Sequence, residues 1–418
     1  MAPGPGGSLF VSIPRAGGSI LALLDRDGRP RPGWPIRISD STSCELLLPV
    51  DDGSVRVVCT LENPQGNMFG PIGAFAFDSA GSQLAGWPID LGAHGYFSGR
   101  VIGDELTIHA WASLGDVIAE GQPAGNSWIL TLAANGAVRS GTQVPFPNCC
   151  DQRWAIGPDG VAYGSINQYG DAQEAPKSSE LVAVSFAGAG AGFPITIEGS
   201  ASEPAFDAAG RIHLTVGTPF ERPARTLVFD TNGQAVVGGS GELEIAATGE
   251  CVGIEGSCPA PAAPLVGPDG TTFVVDSSGN RTTVVGLSPL GQAMEGWPYR
   301  SDAGHQSKGS CPVGTVCERY ELAAPAIGPG NVLYLLHAAS DTSVGGSIVA
   351  VGPDSRVRPG WPVVLSRPGA AFWSVVVGAD GTAYALAIEP ETGDASSATI
   401  LAIASDSTVL YRTTIIDP

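Results

Sequence analysis

Lysine is nearly absent from this chain: its 418 residues include only Lys177 and Lys308, and the formal net charge is -20. So acidic a chain has no basic footprint with which to neutralise phosphates, which argues against nucleic acid as a partner and against anionic membrane surfaces. Long apolar runs are missing too, so no membrane insertion is expected. No basic stretch followed by an apolar one opens the chain, because Met1-Ala2-Pro3-Gly4-Pro5 leads straight into the strand-like Ser8-Leu9-Phe10-Val11. Catalytic signatures are also lacking. There is no G-x-S-x-G nucleophile elbow, no H-E-x-x-H zinc helix and no G-x-x-x-x-G-K phosphate loop, and the histidines (His94, His109, His213, His305 and His337) are too scattered to form a motif. Asp25-Arg26-Asp27-Gly28 looks like the start of a calcium loop but lacks the remaining ligand positions, and reads as a turn.

Glycine and proline are abundant, with 58 and 34 copies spread at regular intervals, which reads as turns between many short strands. The clearest recurrence is Gly-Trp-Pro, at Gly33-Trp34-Pro35, Gly86-Trp87-Pro88, Gly296-Trp297-Pro298 and Gly360-Trp361-Pro362, with a weakened copy at Gly192-Phe193-Pro194. The spacings leave room for two hidden units, and degenerate units end near Val144, Leu243 and Thr413-Thr414-Ile415. A second recurring element is an apolar strand, a Pro-Asp-Gly type turn and another apolar strand, as in Trp154 to Tyr163 and Pro264 to Gly270. Proline presets φ in such turns and glycine accepts the left-handed position. Four short antiparallel strands per unit, repeated about eight times, predict an all-β fold. Residues 1–418 are expected to form a single β-propeller of eight blades, with seven as the alternative, and the first blade is expected to lack its innermost strand. The repeated tryptophan is expected to pack between neighbouring blades with its indole N–H on backbone.

Eight cysteines fall into four local pairs, Cys44 with Cys59, Cys149 with Cys150, Cys251 with Cys258, and Cys311 with Cys317, and none lies in a C-x-x-C motif. Eight cysteines allow 105 connectivities, so short closure distance is what favours these four. The first pair is symmetric about position 51.5, near the turn Asp51-Asp52-Gly53, as cross-strand partners in a hairpin would be. Paired cysteines imply an oxidising compartment, so the protein is expected to be secreted, periplasmic or on a cell surface, with a leader removed.

The repeat, as in Ala22-Leu23-Leu24-Asp25-Arg26-Asp27-Gly28 leading to Trp34, resembles the quinoprotein-like (PQQ-like) β-propeller superfamily. That resemblance implies the fold, in a group that includes enzymes, assembly factors and binding scaffolds. Cys149-Cys150-Asp151-Gln152-Arg153 is similar to the vicinal disulfide that covers the cofactor in quinoprotein alcohol dehydrogenases, although Gln152-Arg153-Trp154 stands where those enzymes have Asn-Arg-Gly. The similarity implies Cys149, Cys150, Asp151 and Arg153 as contacts for pyrroloquinoline quinone with calcium. The calcium and base carboxylates match no motif here.

In a blade, the turns joining the first strand to the second and the third to the fourth share one face of the propeller. The other connections share the opposite face. Here the first set is short and the second long, and all four cysteine pairs fall on the long-loop face. Long loops in a compact fold are functional or disordered, and staples remove disorder, so this face is the expected binding surface. The expected function is non-enzymatic recognition of a protein, peptide or glycan. A quinone-dependent oxidoreductase and a polysaccharide hydrolase or lyase are the alternatives.

Overall fold

Interior strands of this protein are buried along their whole length instead of alternating: Gly18–Leu24, Ile212–Gly217 and Val332–His337 are buried at every residue. A sheet covered on both faces requires this, which is why a period of two is hard to see in the sequence. Alternation survives in an outermost strand, Val409–Thr414.

The computed structural model describes residues 1–15, 17–62, 70–94, 97–144 without 112–126, 152–168, 178–217, 224–236, 241–243, 261–276, 281–303, 325–337, 345–390 and 396–415. Eight antiparallel sheets follow one another along the chain as the blades of a propeller. Blades 1 to 4 take residues 2–38, 41–94, 97–144 and 152–198, and blades 5 to 8 take 200–243, 265–301, 326–364 and 371–414. Blade 1 is not missing its innermost strand. That strand is Ala2–Pro3, only two residues long, and it pairs with Phe10 and Leu9 alone. The prolines and glycines around it hid it from a reading based on strand composition. The innermost strand of blade 5 is broken into Ser200–Ala201 and Ala205–Phe206.

The Gly-Trp-Pro motif is a device for joining blades. Each motif has a cis peptide before proline, the Phe193 copy included, and a glycine with φ between 82° and 87°. A Cβ on Gly33, Gly86 or Gly192 would overlap a carbonyl oxygen of the next blade, that of Ala80, Asn135 or Asn232. The indole reaches the same turn: Trp34 Nε1 donates to Ser79 O at 3.2 Å, Trp87 to Ala134 O at 2.9 Å, Trp297 to Pro353 O at 2.9 Å and Trp361 to Ser405 O at 3.3 Å. The expected packing role of these tryptophans is therefore observed.

Blades 3, 5 and 8 lack the motif, and the junction after each is built differently. Between blades 3 and 4, the His109 ring stacks on Trp154 with centroids 4.6 Å apart. Between blades 5 and 6, His213 Nε2 faces Asp207 Oδ2 at 3.3 Å and its Nδ1 faces Thr272 Oγ1 at 3.0 Å, while Arg211 also bonds Asp207. Between blades 8 and 1, Tyr384 donates to Gly7 O at 3.3 Å and Thr413 to Gly28 O at 2.6 Å, over an apolar cluster that includes Leu9, Ile20, Leu24 and Ile400. This last junction closes the ring by side-chain contacts, with no strand exchanged between the two blades among the described residues.

Candidate functional site

The two faces of the ring use their polar residues differently. On the short-turn face the aspartates are consumed by their own turns. Asp25 Oδ1 accepts the N–H of Asp27 at 2.9 Å and of Arg29 at 2.8 Å, and Asp78 and Asp230 repeat the arrangement. Asp159, Asp269, Asp380 and Asp406 each accept the N–H two residues on. Asp25-Arg26-Asp27-Gly28 is thus a turn, as expected. Part of the acidity of the chain is turn chemistry.

Around the axis, the innermost strands of blades 2 and 8 break register. Blade 2 contributes Ser41–Pro49, in which Thr42 and Glu45 are each an extra residue against the partner strand Val55–Leu61. Blade 8 contributes Ala371–Val377, in which Trp373 is the extra residue. A bulge turns its unpaired residue out of the regular pleat. All three side chains are exposed, Trp373 to 42 %, although their neighbours Cys44, Leu47, Phe372 and Val375 are buried. The innermost strand of each blade lines the axis of a propeller, so these exposed side chains lie at the inner rim of the ring. Ser43 Oγ holds Glu45 Oε1 at 3.0 Å, which fixes that carboxylate within the strand.

Thr42 and Trp373 lie in the half of their strand nearer the long-loop face, and Glu45 at the midpoint of its own. Between these bulges sits blade 1, whose two-residue innermost strand leaves most of Leu9–Arg15 without an inner strand partner among the described residues. The channel is therefore recessed at blade 1, with Trp373 on one side and Thr42 and Glu45 on the other. Composition and motif scanning do not single out these residues. A faint signal does exist for Glu45. The turn pairs Pro49 with Val55, centred on 52, whereas the cysteines are centred on 51.5, and the half-residue offset is the mark of one inserted residue.

The Cys44–Cys59 disulfide is present and joins cross-strand partners at the long-loop end of blade 2, as expected. Cys149, Cys150, Cys251, Cys258, Cys311, Cys317 and Asp151 lie outside the described residues, as do the interiors of the long loops. Arg153 is the second residue of the innermost strand of blade 4, Gln152–Ile156, half-buried and already engaged by a partner. Among the described residues no three histidine, cysteine, aspartate or glutamate side chains gather as a metal site.

Two buried clusters look chemical but act as structure. Asp207, His213 and Thr272 have the connectivity of a hydrolytic triad, yet Thr272 and His213 are 3 % and 1 % exposed, so no substrate reaches the hydroxyl. Burial pushes the His213 pKa down, against the pull of Asp207. Burial also raises Asp207, but hydrogen bonds from the Arg211 backbone, the Arg211 guanidinium and His213 outweigh it and hold the carboxyl below its ordinary range. His109 is wholly buried against Trp154, its Nε2 without a partner among the described residues, and desolvation drives its pKa down to about 3. It is a neutral ring in the junction.

No family model matches the chain, and no curated protein matches its sequence. Among solved structures it is similar to Porphyromonas gingivalis dipeptidyl peptidase 4, at 8% identity over 97% of this chain and 59% of that one, with a TM-score of 0.53. A quinonprotein alcohol dehydrogenase-like protein from Bacteroides thetaiotaomicron VPI-5482 aligns at 11% identity over 98% and 89% of the two chains, with a TM-score of 0.43. The polysaccharide lyase Uly1 aligns at 10% identity over 82% and 87%, with a TM-score of 0.46. At such identities the likeness is one of fold.

Proposed function

We propose that this protein is a binding propeller that recognises its ligand at the channel mouth on the long-loop face, in an oxidising compartment outside the cytoplasm. The observation that carries the reading is the set of inner-strand bulges at Thr42, Glu45 and Trp373, which spend regular pairing to present side chains to solvent. The disulfide at Cys44–Cys59 stiffens one wall of that mouth and accords with an oxidising environment. An exposed tryptophan beside polar groups is a recognition surface in its own right.

The test is an array of peptides and glycans probed with the full chain and with a variant carrying Thr42→Ala, Glu45→Gln and Trp373→Ala. Ligands held by the native protein should be lost by the variant while both melt at the same temperature. Retention of those ligands by the variant overturns the reading. The quinone-dependent alternative rests on Cys149-Cys150-Asp151 and is tested separately. Incubation with pyrroloquinoline quinone and calcium should add the quinone absorbance and dye-linked alcohol oxidation under that reading, and neither under ours.

A further inference from the structure

The recess at blade 1 has a backbone feature that narrows the class of ligand. In the innermost full-length strand there, Leu9–Arg15, the residues alternate between pointing their polar groups at Gly18–Leu24 and at the axis. The phase can be assigned. Leu23 O accepts the N–H of Arg31 on the outer side, so Leu23 faces outward and its partner Phe10 faces inward, to Ala2. Two residues on, Ser12 also turns its N–H and C=O to the axis, where no described strand covers them. Its Oγ is buried and has no hydrogen-bond partner among the described residues. Pro14 follows in the same phase and has no N–H to offer, which limits pairing to a short stretch and blunts the edge against copies of itself.

The charges around this edge have a sign. Asp40, Glu45 and Glu62 are exposed at the blade 1 and blade 2 rim, against Arg15 at the end of the strand and Arg37, which donates to Gly17 O at 3.3 Å, while Arg367 is paired with Glu389. Arg100 lies farther round the axis, on blade 3. With a formal net charge of -20, the whole molecule draws cations and repels anions. Trp373 supplies an exposed π face for a cation.

Resting on the reading of the channel mouth as the recognition site, we propose that its ligand is a short, extended, basic peptide segment, paired through its backbone to Ser12 with a lysine or arginine side chain over Trp373 toward Glu45. An uncovered strand edge is read by a peptide backbone, which a glycan does not supply.

The experiment is a fluorescence titration of the full chain with a lysine- and arginine-rich peptide of about ten residues, long enough to span a strand, and with its acidic counterpart. We expect a saturable change with the basic peptide only, weakening as salt rises. Trp373→Ala should abolish the optical change and weaken binding, followed in parallel by calorimetry, by about tenfold, the scale of a desolvated cation–π contact. Ser12→Pro removes an N–H that the ladder to Gly18–Leu24 does not use, so it should weaken binding to a similar extent without lowering the melting temperature. If Ser12→Pro unfolds the blade, Trp373→Ala alone decides. Binding of the acidic peptide, no binding of the basic one, or equal binding by native protein and Trp373→Ala overturns the proposal. A glycan lost by the bulge variant, with no basic peptide bound, overturns this inference and leaves the binding function standing. Ligands that survive the bulge variant bring down both.

Discussion

The junction between blades 2 and 3 and the junction between blades 3 and 4 do the same mechanical job with different chemistry. In the first, Trp87 is 5 % exposed, its ring fills the gap and its N–H meets Ala134 O, while Gly86 lets the two turns touch. The buried Arg56 guanidinium lies over the same ring, 5.8 Å from its centroid. In the second, His109 stacks on Trp154 with a ring nitrogen that has no partner among the described residues, and the junction after blade 5 relies on Asp207 and His213. Where Gly-Trp-Pro is intact, each junction contains a tryptophan ring and its indole hydrogen bond to backbone. Where it is missing after blades 3 and 5, buried histidines stand in the junction and bring sensitivity to pH, whereas after blade 8 hydroxyl groups and apolar packing serve instead.

Trp87→Ala should break the first kind of junction most severely, costing about 3–5 kcal/mol as a large buried ring is replaced by a cavity. Denaturant midpoints at neutral pH measure it. The second kind should fail in acid. The His109 pKa is lower in the folded protein than its ordinary 6.5, so the unfolded chain takes up the proton first. Stability from this group is complete above about 6.5 and falls with pH by on the order of 1.4 kcal/mol per unit down to about 3. His109→Phe should flatten that acid limb in melts recorded across the range, and an unchanged limb would show that His109 is not its source. Asp207→Asn should cost about 1.5–3 kcal/mol at neutral pH, because Arg211 and His213 lose a charged acceptor. Part of that difference should vanish in strong acid, since a carboxyl held low loses its contribution as pH falls through its folded pKa. The smallest change is Trp87→Phe, about 1 kcal/mol for the lost indole hydrogen bond, which imitates the natural Phe193 junction.

The fold was legible because its repeat is made of residues with few alternative uses. Glycine at positive φ, proline after an aromatic and aspartate in tight turns each imply a local geometry, and together they set blade number and faces. The Cys44–Cys59 pairing was legible too, but the simple hairpin symmetry behind it is incomplete, since an inserted Glu45 brings the two cysteines opposite each other. The site was not legible for the same reason. A bulge is a property of pairing between two strands, so neither Glu45 nor Trp373 has a signature within its own strand. The short strand Ala2–Pro3 is held by two residue pairs and has no length for a pattern to occupy.

The central claim is that the repeated tryptophans are structural and that Trp373, outside the repeat, is the one that meets ligand. Oxidative footprinting of the native protein, read by mass spectrometry at each tryptophan, tests it directly. Trp373 should oxidise first, Trp34, Trp87 and Trp361 last, and a bound ligand should protect Trp373 alone. Early oxidation of the repeat tryptophans, or ligand that leaves Trp373 as reactive as before, would contradict it.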